Sequence, residues 1–207
     1  MFFSKKQVKK NPTATGQAND QQQKKEFNIV QELFDWAESL VTSLVIIVLL
    51  FAFAFRLIGV SGDSMKPTLH NMDYLIVSKL GYTPEQGDIV VLTKEGFLVN
   101  EITGKSDSFV KRIIATEGQT VDIDFALGVV YVDGVLQDDS FTLTKTTRQG
   151  DLHFPCTVPE GHIFVLGDNR NGSTDSRNAE VGMVDERYIV GRVLFRILPL
   201  TKFGLVE

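Results

Sequence analysis

Lys111 is the residue whose surroundings most invite chemistry. It lies in Phe109-Val110-Lys111-Arg112-Ile113-Ile114, and the two-residue period of a strand puts Phe109, Lys111 and Ile113 on one face. Two readings fit that placement. A lysine at a sheet edge deters aggregation, whereas an amine desolvated between apolar neighbours loses basicity because burial disfavours its charged form. An ordinary lysine, with pKa about 10.4, is almost wholly protonated at neutral pH. A drop of roughly 2–3 units, or about 3–4 kcal/mol, turns it into a general base able to activate a hydroxyl nucleophile.

Serines stand in two other conspicuous segments, Ser61-Gly62-Asp63-Ser64-Met65-Lys66-Pro67-Thr68-Leu69 and Gly167-Asp168-Asn169-Arg170-Asn171-Gly172-Ser173-Thr174-Asp175-Ser176-Arg177. Their Gly, Asp, Asn, Ser and Pro content also suits plain turns. Other chemistries find little support. His70, His153 and His162 have no metal-binding spacing, and Cys156 is the only cysteine, which also excludes an intramolecular disulfide. Asp168, Asn169 and Asp175 lack the twelve-residue calcium loop with its terminal Glu. No glycine-rich phosphate loop precedes a helix, and a Ser-His-Asp triad is open but unsupported. No metal or cofactor is expected.

The elements that must hold these residues fall into three parts, expected at 1–35, 36–58 and 59–207. Net charge is −5, which argues against a nucleic-acid binder relying on basicity. Residues 1–30 carry six Lys and two acids, or +4, leaving −9 for the rest. That first segment is polar and rich in Lys, Gln and Asn, and reads as flexible and solvated. Leu40–Phe55 then has no charge. Extended over 36–58, it reaches across a hydrocarbon layer of roughly 30 Å, with Trp36 as an interfacial anchor and Arg56 snorkelling. A buried core helix and a cleaved export signal are weaker readings, although Ala52-Phe53-Ala54 matches a crude cleavage pattern. Lys5, Lys6, Lys9, Lys10, Lys24 and Lys25 precede the span, so the positive-inside rule puts the N-terminus in the cytoplasm.

The remainder reads as mostly β. Strands are expected at Tyr74–Ser78, Asp88–Leu92, Phe109–Ala115, Thr120–Phe125, Val129–Val132, His162–Leu166 and Tyr188–Ile197. Asp133-Gly134 between Val129–Val132 and Val135-Leu136 predicts a type I′ hairpin turn. Many short strands joined by small turns point to antiparallel sheets closing on themselves. Residues 94–108 and 137–158 read as surface excursions.

Taken in order behind one N-terminal span, the segments resemble the bacterial type I signal peptidases, in the single-span form of Gram-positive bacteria. The shared marks are S-M-x-P-T-L, a K-R pair on a strand, and G-D-N-R followed by S-x-D-S-R. The resemblance covers the chain after residue 35. It implies a barrel-like catalytic domain of coiled antiparallel sheets with a small β appendage within about 113–160. It implies Ser64 as nucleophile, Lys111 as general base and Ser173 as the serine that orients the amine. Asp175 and Arg177 match a supporting ion pair, with Asp168 and Arg170 nearby. A carboxylate touching Lys111 would raise its pKa, so Asp175 is expected to pair with Arg177 instead.

Larger relatives carry an oxyanion-binding serine where this sequence has Gly62; Gly62 is expected at the oxyanion site, with the Ser64 N–H as one donor and the second left open. Met65 and Val60 are expected to line small-residue pockets or to rest on lipid. The implied activity is removal of signal peptides from exported preproteins, after small residues at positions −1 and −3, with the substrate bound as an added strand. The implied setting is a lipid bilayer beside the export machinery, with the catalytic domain outside the cell. The competing reading is an inactive, membrane-tethered relative that assists surface assembly.

Overall fold

The computed structural model describes residues 29–93 and 108–206. The expectations for residues 1–28, and for nearly all of the 94–108 excursion, lie outside the described residues. Contacts divide the chain between residues 44 and 45, inside the one long helix among the described residues.

That helix, α1, spans Ile29–Ala54 and buries none of its side chains. It is long and apolar enough to cross a membrane, with a mean hydropathy of 2.3 over its most apolar stretch. Its acidic residues, Glu32, Asp35 and Glu38, all lie in the first three turns. Two sequence boundaries need correction. The segment expected to be flexible through residue 35 is already helical from Ile29, and the helix ends at Ala54 rather than 58. Phe55–Gly59 is strand β1, antiparallel to β2 (Tyr74–Ser78) from Phe55↔Ser78 to Gly59↔Tyr74. A continuous apolar run does not distinguish helix from buried strand; here the nearby strand partner decides it.

After β2 come β3 (Ile89–Leu92), β4 (Phe109–Ala115), β5 (Thr120–Asp124), β6 (Val129–Val132) and β7 (Val135–Leu136). They are followed by β8 (Cys156–Thr157), β9 (His162–Leu166), β10 (Val184–Asp185), β11 (Ile189–Leu198) and β12 (Gly204–Leu205). The larger sheet runs β1-β2-β11-β3-β4-β9-β10, with β12 on β11, and all its pairs are antiparallel. The smaller sheet, β7-β6-β5-β8, is the expected appendage. Asp133 and Gly134 take φ of 51° and 77°, as a type I′ turn requires.

Two apolar clusters form the core against the larger sheet. One gathers Met65, Leu69, Leu75, Val77, Val91 and Val110, the other Val90, Leu92, Ile113, Ile163 and Val165. A third joins the small sheet to β9 through Val121, Val130, Val132, Phe164 and Leu166. β4 runs between β3 and β9, so all its residues except Phe109 are buried. That central position dries Lys111.

Candidate active site

Ser64 stands on the loop between β1 and β2. The loop is closed at its base by Val60 N–H donating to the Asp73 carbonyl (2.8 Å) and Met72 N–H donating to the Val60 carbonyl (3.0 Å). Met65 and Leu69, joined by a 2.9 Å backbone bond, are sunk in the core at 1% and 0% exposure. These apolar anchors on the C-terminal side of Ser64 hold its hydroxyl at the edge of β4.

Lys111 meets it there. Its Nζ lies 2.9 Å from Ser64 Oγ and 3.2 Å from the Val110 carbonyl oxygen. The Phe109 ring centroid is 5.6 Å from the same nitrogen, and the residue is only 3% exposed. Burial pushes the amine down to about 8; Asp175 and Asp168 pull it partly back up, and Arg177 lowers it again.

Neither carboxylate binds the amine. Asp175 takes Arg177 Nε at 2.8 Å and Nη2 at 2.9 Å, and also accepts from the Gly167 N–H at 3.1 Å. The expected Asp175–Arg177 pairing is therefore present. Asp168 receives Arg112 through two 2.9 Å bonds and Thr68 Oγ1 at 2.5 Å. Arg170 turns away to Asp139 and to Thr146 Oγ1, both at 2.8 Å. Asn169 N–H donates to the Ser64 carbonyl at 2.9 Å, and its side chain donates to the Asp63 carbonyl at 3.2 Å. Thr68, Arg112, Asp168 and Asn169 thus lock the three sequence segments together around Ser64 and Lys111. Among the described residues, no three His, Cys, Asp or Glu side chains are placed to hold a metal ion.

A family described as signal peptidase, peptidase S26, matches residues 33–198, a span that contains every residue of this site. The chain belongs to that family. Among its relatives, probable signal peptidase I-1 of Synechocystis sp. is 36% identical over 80% of this chain and 82% of its own length. Signal peptidase I P of Bacillus subtilis subsp. natto is 33% identical over 88% of this chain and 96% of its own length. A solved signal peptidase I from Enterococcus faecalis V583, 23% identical, covers 54% of this chain and 97% of its own, with a TM-score of 0.37. The resemblance to type I signal peptidases, and with it the assignment as a peptidase, holds.

Within this family member, three expected site residues behave differently from their implied roles. Ser173 is buried at 1% exposure, but its Oγ has no hydrogen-bond partner, so the expected bond to the lysine amine is not made. It is nevertheless close by: a methyl placed on Gly167 would collide with both Ser173 Oγ and the Ser64 carbonyl oxygen. Only a glycine lets the end of β9 approach the Ser64 loop this closely. Gly62 has φ of +90°, a left-handed conformation that serine adopts only with strain, and its N–H is already given to Asn71 Oδ1 at 3.2 Å. The Ser64 N–H has no acceptor among the described residues. Met65, with Val60, belongs to the core and does not rest on lipid.

Sequence reasoning missed the roles of Thr68, Arg112, Asn169, Asp139 and Phe141. Thr68 and Asn169 sit inside segments already singled out, and Arg112 follows Lys111 directly. Asp139 and Phe141 lie in the supposed surface excursion 137–158, yet Phe141 covers the Arg112 guanidinium at 4.1 Å from its ring centroid. No local pattern marks such long-range partners.

Proposed function

We propose that this protein is a membrane-anchored serine endopeptidase that removes signal peptides from exported preproteins, using a Ser64–Lys111 dyad. The observation that carries this reading is the 2.9 Å approach of a buried amine, pushed down to about 8, to a serine hydroxyl. At pH 7 about one amine in ten is then uncharged, against about one in three thousand for an unshifted lysine.

The neutral Nζ accepts the Ser64 Oγ proton as the oxygen attacks the scissile carbonyl carbon. The tetrahedral oxyanion forms beside the unengaged Ser64 N–H, the arrangement by which a backbone donor stabilises developing charge. Collapse breaks the C–N bond, and the Lys111 ammonium returns the proton to the leaving amine. The amine, again neutral, deprotonates a water that attacks the acyl-serine. Collapse of this second intermediate breaks the C–Oγ bond, the Lys111 ammonium returns its proton to Ser64 Oγ, and product leaves with both residues restored. Asp175 and Asp168 raise the amine only in part, each being paired with its own arginine, and desolvation outweighs them.

The membrane setting fits this substrate. α1, about 39 Å long as a 26-residue helix, serves as the anchor. The lysine-rich start lies in the cytoplasm, and the β domain with its appendage of β5 to β8 lies outside. Ser64 follows α1 by ten residues, so a signal peptide spanning the same bilayer delivers its cleavage site close to it. Selectivity is for small side chains at −1 and −3. The test is to incubate the detergent-solubilised full chain with a preprotein carrying an Ala-x-Ala site. Processing at that site is expected, with loss of about 100-fold or more when the −1 alanine is replaced by a bulky residue. Binding without processing would instead support the inactive, assembly-assisting relative.

A further inference from the structure

β1 begins directly where α1 ends, and its register sets Phe55 opposite Ser78 and Arg56 opposite Val77. Ser78 Oγ also donates to the Ala54 carbonyl at 2.9 Å. These bonds bring Arg56, and Lys79 just past β2, to the last turn of α1. There the two cations line a cavity of about 560 Å³, together with Ala52–Ala54, Leu80, Arg187 and Tyr188. That volume suits a small-ligand site.

Its charge is unusual for this domain. Among the described residues, no Asp or Glu lines the cavity. Arg187 is compensated by Asp185 at 2.7 Å, but Arg56 and Lys79 form no ion pair among the described residues. The chain after α1 carries 15 Lys and Arg against 21 Asp and Glu, a net −6. An acidic domain is repelled by an anionic bilayer, so a cationic notch beside the helix end opposes that trend. Its depth is set by the sequence: the uncharged part of α1, residues 39–54, reaches about 24 Å as a helix, approaching the hydrocarbon thickness. Arg56 is the first charge beyond it, at headgroup level.

We propose that this cavity binds the phosphate of an anionic phospholipid headgroup. Arg56 and Lys79 hold the anion, and Leu80 and the exposed Phe53 face the glycerol and acyl chain. The inference rests on α1 being the membrane anchor and is independent of the Ser64–Lys111 chemistry. Each cation beside such a lipid contributes roughly fivefold in affinity.

The test uses native mass spectrometry of the detergent-solubilised full chain with equimolar phosphatidylglycerol and phosphatidylcholine. Wild type is expected to retain one phosphatidylglycerol selectively. Arg56→Gln/Lys79→Gln is expected to lose about 30-fold in that affinity, while Lys145→Gln/Lys202→Gln, which removes equal charge from exposed sites elsewhere, changes it less than twofold. Unchanged thermal unfolding and preprotein processing by the first variant show that it folds and keep this test separate from the protease reading. Equal retention of both lipids, or equal loss in both variants, overturns the proposal. Displacement of the lipid by stoichiometric inorganic phosphate overturns it in favour of a free-anion site.

Discussion

Replacing Lys111 by Met is expected to lower kcat/KM for a preprotein by at least about 10³-fold while raising thermal stability. Both effects follow from one buried amine. In the unfolded chain the lysine holds its proton up to about pH 10.5, whereas burial brings the folded value to about 8. Below pH 8 both states are protonated, and folding bears the full cost of enclosing the charge, about 3 kcal/mol for a shift of about 2.5 units. Between pH 8 and 10.5 the unfolded state binds more protons, so stability rises with pH. Methionine fills a similar volume without charge. Thermal unfolding at pH 7 and pH 10 checks this: the variant is more stable at pH 7, and its advantage shrinks at pH 10. A variant that is inactive and also less stable at pH 7 contradicts a burial-tuned amine.

Asp168→Ala is expected to cost about 3–5 kcal/mol, the largest stability loss from a single site residue. Asp168 is 1% exposed and holds Arg112, itself 5% exposed, through two bonds. Removing it strips the buried guanidinium of this carboxylate and takes the acceptor from Thr68, whose Oγ1 ties the Ser64 loop to the end of β9. Asp168→Asn keeps the shape and loses less. Because the Asp168 charge raises Lys111, the Asn variant also moves the alkaline-rising limb of activity below that of wild type. Chemical denaturation measures the first effect and a pH–rate profile the second. A stable Asp168→Ala protein with wild-type activity contradicts the locking role given to this residue.

Much of the fold was legible because buried β-branched runs declare themselves. Tyr74–Ser78, Phe109–Ala115, Val129–Val132 and His162–Leu166 form strands with the expected limits, and Asp133-Gly134 makes the expected turn. β1 was hidden because its apolar residues continue those of α1. β8, β10 and β12 are two-residue strands whose identity comes from the neighbour they pair with, which no local period encodes. The site divides in the same way. Lys111 was conspicuous as a charge on an apolar face, and Asp175–Arg177 spans only two residues. Arg170 finds Asp139, and Arg112 finds Phe141, across about thirty residues of sequence in each case. The silent Ser173 hydroxyl is a matter of side-chain geometry, which residue spacing does not carry.

The central claim is a proton acceptor tuned by burial, and the pH dependence of preprotein cleavage probes it most directly. For the full chain in detergent, kcat/KM should rise about tenfold per pH unit and level off with a midpoint near 8, the value set by desolvation of Lys111. A midpoint near 10.5, the value of a solvated lysine, would contradict the account.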